Sequence, residues 1–379
     1  MMEEKQMTQK ALKIKENDVV GSINDFLRQL LSSGKIQALL IPQSTPSKKV
    51  VYPVLIADPK KLHSDIIAPV LPVATATVVS KLTKVQPPSK PIGVVMRACQ
   101  IRALVELVKL NQASLSNIII IGVDCPGTFP INVYADFPEK KAPTHFLLET
   151  LLKKTKDADQ YLRSACHVCK DPIPTNADIV LGFYGIDLDK ELIVEAHSEI
   201  GRELIKDIPL EEITDDKARE KAIKDQREMK DKQRAVFLKD KEGMKGIEKI
   251  AEFFDKCVNC HNCRQACPIC YCKECLFDSA VFDAEAYKFI RRAENKGLFK
   301  LPSDALLFQL GRMNHMILSC VECGLCEQAC PNMIPLMEVF IPAAENAQKE
   351  FAYHPGKDKA EKIPMIVYRE DEFLEVGEK

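Results

Sequence analysis

Ile92-Gly-Val-Val-Met96, the stretch from Gln100 to Leu110, and Asn117-Ile-Ile-Ile-Ile-Gly-Val123 follow one another with short breaks. The first and third are apolar runs of strand length. The middle stretch puts Ile101, Leu104, Val105 and Val108 on one helical face. Strand, helix, strand in this order predicts a βαβ unit with parallel strands covered on both faces. Cys99 falls just past the carboxyl end of the first strand, and Cys125 just past that of the second. Parallel neighbours bring both ends to one sheet edge, where open α/β folds hold ligands. Core packing alone does not account for two cysteines at equivalent places there.

Working outward, the amino-terminal side reads as residues 1–20, a charged leader, and then a helix. Ser22 serves as its N-cap, Ile23, Phe26, Leu27, Leu30 and Leu31 as its apolar face, and Gly34 as its stop. Ile36 to Ile41 and Val50 to Ile56 read as strands, the second weakened by Pro53. On the carboxyl side come Cys166-His-Val-Cys169 and a strand from Ala177 to Phe183. Residues 21–202 thus form an α/β domain with a mixed, mostly parallel sheet. Cys99, Cys125, Cys166 and Cys169 together offer four thiolates, the set that a [4Fe–4S] cluster requires. The competing reading is two buried structural cysteines plus a C-x2-C pair that is redox-active or half a zinc site.

From about Glu203 to Asp255 the chain is dense in lysine and glutamate and reads as a helical linker with a wet surface. Two runs follow. Cys257-Val-Asn-Cys260-His-Asn-Cys263-Arg-Gln-Ala-Cys267-Pro268 and Cys320-Val-Glu-Cys323-Gly-Leu-Cys326-Glu-Gln-Ala-Cys330-Pro331 both have the form C-x2-C-x2-C-x3-C-P. This is the spacing by which bacterial ferredoxins hold two [4Fe–4S] clusters, the fourth cysteine of each run ligating the other cluster. The expected sets are Cys257, Cys260, Cys263 and Cys330 for one cluster, and Cys320, Cys323, Cys326 and Cys267 for the second. Zinc takes C-x2-C pairs too, but four ligands satisfy it, and it has no use for a doubled run of four. Residues 256–345 read as an α+β dicluster ferredoxin-like domain. Its helical insertion comprises Asp283 to Asn295 and Ser303 to Met316. Cys270, Cys272 and Cys275 are left over, and His167 and His261 tune or shield rather than ligate. Lys170-Asp171 reads as a turn. Residues 346–379 form a tail with one strand, Met365 to Tyr368.

The 379 residues carry fifteen cysteines and a formal net charge of -1, which gives no electrostatic argument for nucleic acid or a membrane surface. No apolar run approaches the roughly 20 residues of a membrane span. Such cysteine usage without a signal sequence predicts a reducing cytoplasm, that of an anaerobe given the oxygen sensitivity of such clusters, and argues against disulfides. Neither G-x-G-x-x-G nor a Walker motif occurs.

Four stretches together resemble the coenzyme F420 hydrogenase/dehydrogenase beta-subunit family over roughly residues 20–200. They are Val94-Val-Met-Arg97-Ala-Cys99-Gln-Ile-Arg102-Ala-Leu, Ile121-Gly-Val-Asp-Cys125-Pro-Gly127-Thr128-Phe129, Cys166-x2-Cys169-Lys-Asp171 and Ala177-Asp178-Ile179-Val180-Leu-Gly182. The extension through Cys270-Tyr-Cys272-Lys-Glu-Cys275 resembles the formate dehydrogenase members in particular. The resemblance implies an α/β core that binds FAD and one [4Fe–4S] cluster, the flavin exchanging hydride with F420 and passing single electrons to the clusters. Where members carry a glycine-rich stretch near the first helix, this chain has Gly21-Ser22; Val73-Ala-Thr-Ala-Thr77 is retained in type. The expectation is an electron-transfer subunit of a multi-subunit oxidoreductase with three [4Fe–4S] clusters and FAD. Its partner would be a formate dehydrogenase or hydrogenase catalytic subunit, or a heterodisulfide-reductase-like subunit, with F420 as a further partner. The alternatives are a flavin-free iron–sulfur conduit and a redox-sensing cluster protein.

Overall fold

In the computed structural model, residues 8–367 are described, apart from 48, 138–141, 154, 156, 214–216, 244–245 and 284. Eight strands form one sheet: β1 (Thr8–Lys13), β2 (Ala38–Ser44), β3 (Val51–Ile56), β4 (Ile92–Arg97), β5 (Ile118–Val123), β6 (Ile179–Gly182), β7 (Glu191–Ala196) and β8 (Glu211–Glu212). Their order is β3-β2-β4-β5-β6-β7-β1-β8. The centre, β2 to β6, is parallel, with Ile92 opposite Ile118 in β4 and β5. Both flanks are antiparallel. The sheet is therefore mixed, and parallel only at its heart. Every residue of β4 and β5 is buried, as strands covered on both faces must be.

Alternation sorts these strands onto two cores. Leu39, Ile41, Val95, Ile119, Ile121 and Leu181 pack beneath the Val19–Ser32 helix. Leu40, Val94, Met96, Ile118, Ile120 and Val180 face the Ala98–Lys109 helix. The second core runs on through Cys263, Phe308, Met337 and Phe340, so the cysteine-rich part closes one face of the sheet.

Several expectations change. Part of the leader is a strand: β1 pairs with β7 along its whole length, Thr8 opposite Ala196, and buries Ala11 and Leu12. The N-cap of the first helix is Asp18, whose carboxylate accepts from the Gly21 amide at 2.8 Å. Ser22 lies inside that helix and accepts from the Lys15 amide at 3.0 Å. Pro53 is tolerated because β3 is an edge strand. The insertion helices are Ala286–Lys296 and Ala305–Met316. Among the described residues of 256–345 there are helices and turns and no strand, so the α+β expectation there reduces to helix. Pro364–Ile366 is a single 3₁₀ turn where a strand was expected, and Tyr368 lies outside the described residues.

The linker is not merely wet. The Lys217–Asp240 helix buries Arg219, Lys230 and Arg234. Arg219 bonds Asp124 at 2.8 Å and Glu195 at 2.6 Å. Lys230 donates to the Cys166 and His167 carbonyls at 2.9 and 3.3 Å. Arg234 bonds Glu322 at 2.7 Å and Glu345 at 2.6 Å. One helix thus fastens the sheet, the Cys166 turn and the second cysteine run together.

Candidate metal centres

Cys99 lies in the first turn of the Ala98–Lys109 helix, and Cys125 follows β5 on the same sheet edge. Cys166 sits in the short Ser164–His167 helix and Cys169 just beyond it. All four line one small cavity of about 30 Å³. Arg97 donates to Cys125 Sγ at 3.6 Å and to the Gly127 carbonyl at 3.2 Å. Thr128 Oγ1 lies 3.5 Å from Cys166 Sγ, and Arg163 Nε donates to that hydroxyl at 2.7 Å. Burial alone would push the Cys166 thiol up; the Arg163 guanidinium and the Thr128 hydroxyl outweigh it and leave the thiol more acidic than usual. Burial pushes Cys99 and Cys169 up. Behind the turn, Asp171 bonds Arg102 at 2.6 Å and His354 at 3.1 Å. That pairing anchors the carboxyl-terminal segment, as the turn reading of Lys170-Asp171 allows.

The two long runs cross over. Cys257, Cys260, Cys263 and Cys330 line a second small cavity of about 20 Å³, with Gln309 aimed at Cys257 and Cys263 from 3.7 and 3.8 Å. His261 lines the same cavity; it stacks on Phe308 at 4.2 Å, and its Nδ1 holds Asp278 at 2.7 Å. Cys320, Cys323 and Cys326 gather around Cys267: burial pushes all three thiols up, and the neighbouring Cys267 adds to the push on each. Met337 Sδ lies 3.8 Å from Cys326 Sγ. The left-over Cys270 donates to Cys267, which lowers the Cys267 pKa and raises its own.

The three sets stand in a row. Cys323 of the middle set lines the Cys99 cavity, and Gly324 explains the closeness. At φ +70°, a Cβ there would meet the Ala165 Cβ at 2.7 Å, next to Cys166. Two buried arginines occupy the junctions. Arg163 feels burial, which lowers its pKa, against Cys166, Cys99 and Cys323, which raise it. Arg312 feels burial against Cys326, Cys263, Cys267 and Cys270, and its pKa is raised well above the usual value. Arg163 Nη1, Arg312 Nε and Arg312 Nη2 reach no hydrogen-bond acceptor. Buried cations with some N–H groups unpaired, set among thiols, fit an anionic group between those thiols.

Among the described residues, no three His, Cys, Asp or Glu side chains converge closely enough for a single metal ion. One zinc would hold four sulfurs about 3.8 Å apart at 2.3 Å each. Sulfurs ranged around a cavity suit a polynuclear cluster instead. Sequence reasoning missed Arg97, Arg163, Gln309 and Arg312. Arg97 alone carried a signal, standing two residues before Cys99. A further groove of about 1040 Å³, between the Glu199–Ile205 helix and the amino ends of β4 and β5, holds none of the cysteines.

Cysteine triplets exchanging their fourth member, a further four-thiol set at a sheet edge and cations at the junctions define a class: an iron–sulfur electron-transfer subunit of an oxidoreductase. Residues 89–221 match the family described as the carboxyl-terminal part of the coenzyme F420 hydrogenase/dehydrogenase beta subunit, and residues 252–334 match the 4Fe-4S dicluster domain. Over that first stretch the chain is similar to the coenzyme F420 hydrogenase/dehydrogenase beta-subunit family. It is 29% identical over 302 residues to the F420-dependent formate dehydrogenase subunit beta of Methanocaldococcus jannaschii, covering 72% of this chain and 75% of that one. It is 27% identical over 299 residues to F420-dependent formate dehydrogenase 1 subunit beta of Methanococcus maripaludis, covering 70% and 73%. A chain of the F420-reducing [NiFe] hydrogenase complex of Methanosarcina barkeri superposes with a TM-score of 0.43 at 14% identity, over 64% of this chain and 94% of that one. No helix among the described residues is long and apolar enough to cross a membrane.

Proposed function

We propose that this chain relays single electrons through three [4Fe–4S] clusters between a flavin site at the sheet edge and a partner subunit of a formate dehydrogenase or hydrogenase. The row of three four-cysteine sets, with Cys323 on the wall of the Cys99 cavity, carries the reading. The ligands would be Cys99, Cys125, Cys166 and Cys169; Cys320, Cys323, Cys326 and Cys267; and Cys257, Cys260, Cys263 and Cys330. Each bound cluster supplies one reversible one-electron centre. The chain's own part is to bury the sulfurs, to aim Gln309 and Arg97 at them, and to offset their charge with Arg163 and Arg312.

Val73 and Thr75, from the retained stretch, line a small pocket of about 30 Å³ with Met96, Arg97 and Val123 at the carboxyl ends of β4 and β5. Arg97 also lines the Cys99 cavity, so one guanidinium separates the two spaces. The Val73 pocket is far too small for FAD, so the flavin, which would split a two-electron hydride into single electrons beside the first cluster, is inferred from the family resemblance and not from this space. Coenzyme F420 is the hydride donor or acceptor suited to that place, and the cytoplasm is the reducing compartment suited to the thiols.

The test is anaerobic purification followed by iron, sulfide and flavin analysis. About twelve irons and one flavin per chain, with F420-dependent reduction of the clusters, is the expected result. About twelve irons without flavin makes the chain a bare conduit. Zinc in place of iron would end the reading.

A further inference from the structure

The relay leaves Cys270, Cys272 and Cys275 without a task. Their surroundings differ. Cys272 is exposed, whereas Cys270 and Cys275 pack, partly buried, against the core that holds Cys267 and Cys320. Of the three, Cys270 meets a member of a set. Its thiol donates to Cys267 Sγ, and the amides of Ile269 and Cys270 are turned toward the same sulfur. The contact is built into the chain: the Cys270 amide reaches the Cys267 carbonyl at 3.2 Å, and Pro268 stiffens the turn between them.

A second observation comes from across the core. Arg312 is 3% exposed, and its Nε and Nη2 reach no acceptor. Both Cys267 and Cys270 are among the thiols that act on it. A buried cation with open N–H groups beside two thiols offers room for negative charge on either of them. Cys267 takes that room as the fourth member of the middle set. Cys270 has the same cation and the same core, one hydrogen bond away. A thiol that only filled space would need an apolar niche and no such cation.

We infer that Cys270 is a second ligand for the iron that Cys267 holds, so that the middle set carries one cysteine more than a [4Fe–4S] cluster needs. The inference rests on the relay proposed above and adds a site to it. Two sulfurs joined by a hydrogen bond can reach one iron by turning their own side chains, with the backbone left in place. The exchange balances. The bond from iron to Cys267 breaks, the bond from iron to Cys270 forms, and the Cys270 proton passes to Cys267 Sγ along the hydrogen bond already there. The charge of the site is unchanged, and no oxidant or reductant is consumed. The spare stands at the middle centre, whose loss would cut the row in two.

The test uses the full chain, prepared without oxygen, as wild type, Cys270→Ala, Cys267→Ala and the double variant Cys267→Ala/Cys270→Ala. Iron and sulfide are counted per chain, and the clusters are read by electron paramagnetic resonance. The wild type, Cys270→Ala and Cys267→Ala should each hold about twelve irons, with an altered middle-cluster signal in Cys267→Ala. The double variant should lose about four irons, or keep the middle cluster in a three-iron form visible when oxidised. Cys267→Ser and Cys267→Ser/Cys270→Ala repeat the contrast with a residue closer in shape, and their signals should differ. Iron lost from Cys267→Ala as fully as from the double variant would overturn the inference. So would iron lost from Cys270→Ala alone, an intact middle cluster in the double variant, or identical signals in the serine pair. In all these cases a wild-type chain with about twelve irons leaves the relay standing, whereas a wild-type chain without iron refutes the relay and the spare ligand with it.

Discussion

Arg163 and Arg312 stand where one thiol set passes to the next, each buried and each with guanidinium nitrogens that meet no acceptor. A cation beside an iron–sulfur site favours its reduced, more negative state. Arg312 also stacks 4.5 Å above the Phe340 ring, which fixes its position. Replacing it with methionine should lower the midpoint potentials of the two neighbouring clusters. The drop should be on the order of 50 to 100 mV for a unit charge about 7 to 10 Å away at an effective dielectric of about 20. Arg312→Lys should restore most of it. Potentiometric titration followed by electron paramagnetic resonance reads the shift, and unchanged potentials in the methionine variant would refute the role. These arginines were invisible in the sequence because arginine is ordinarily a surface residue, and only tertiary neighbours reveal a buried one. The cysteines were legible because ligand spacing is a local property of the chain.

The Lys217–Asp240 helix makes the same point at the scale of an element. Its composition reads as solvated, yet it docks through Arg219, whose side chain is 2% exposed. Two glycines clear its way. A Cβ on Gly182 would lie 2.5 Å from the Arg219 guanidinium, and Gly185, at φ +83°, lets the helix backbone approach. Burial pushes the Glu195 carboxyl up, but His197 and Arg219 overcome it and hold the group down at about 2. Arg219→Met would strand Asp124 and Glu195 without their cation. It should cost about 3 to 5 kcal/mol, the usual penalty for breaking a buried pair from one side. A lowered urea midpoint and early tryptic cleavage within residues 217–240 would register it; wild-type resistance would contradict it. The same contrast divides the strands. β4 and β5 announce themselves as apolar runs, whereas β1, Thr-Gln-Lys-Ala-Leu-Lys, carries two lysines and is a strand because β7 and β8 flank it.

At the scale of the molecule, the α/β part and the cysteine-rich part share a core. Glu106, wholly buried, accepts from Tyr353 at 2.6 Å and from the Gly356 amide at 2.8 Å, so the carboxyl-terminal segment also locks onto the sheet domain. The sheet-edge thiols should nevertheless load independently of the two long runs, since none of the four comes from them. Cys99→Ser should therefore remove about four irons of about twelve and leave the ferredoxin-like signals in place. Undiminished iron would rule out the sheet-edge set. The juxtaposition of Cys323 with that set was beyond sequence reading, because it depends on Gly324 nesting against Ala165, far away in the chain.

Arg234 reaches Glu322 and Glu345 while Arg219, on the same rod, grips the central strands. A rod riveted at both ends leaves no hinge between donor and acceptor. Under the proposed relay, the described residues would have no need of a swinging segment, as a tethered carrier has, to bring one centre within tunnelling range of the next. The spacing would then be set once, when the chain folds, and any joint that opens and closes would have to lie outside it.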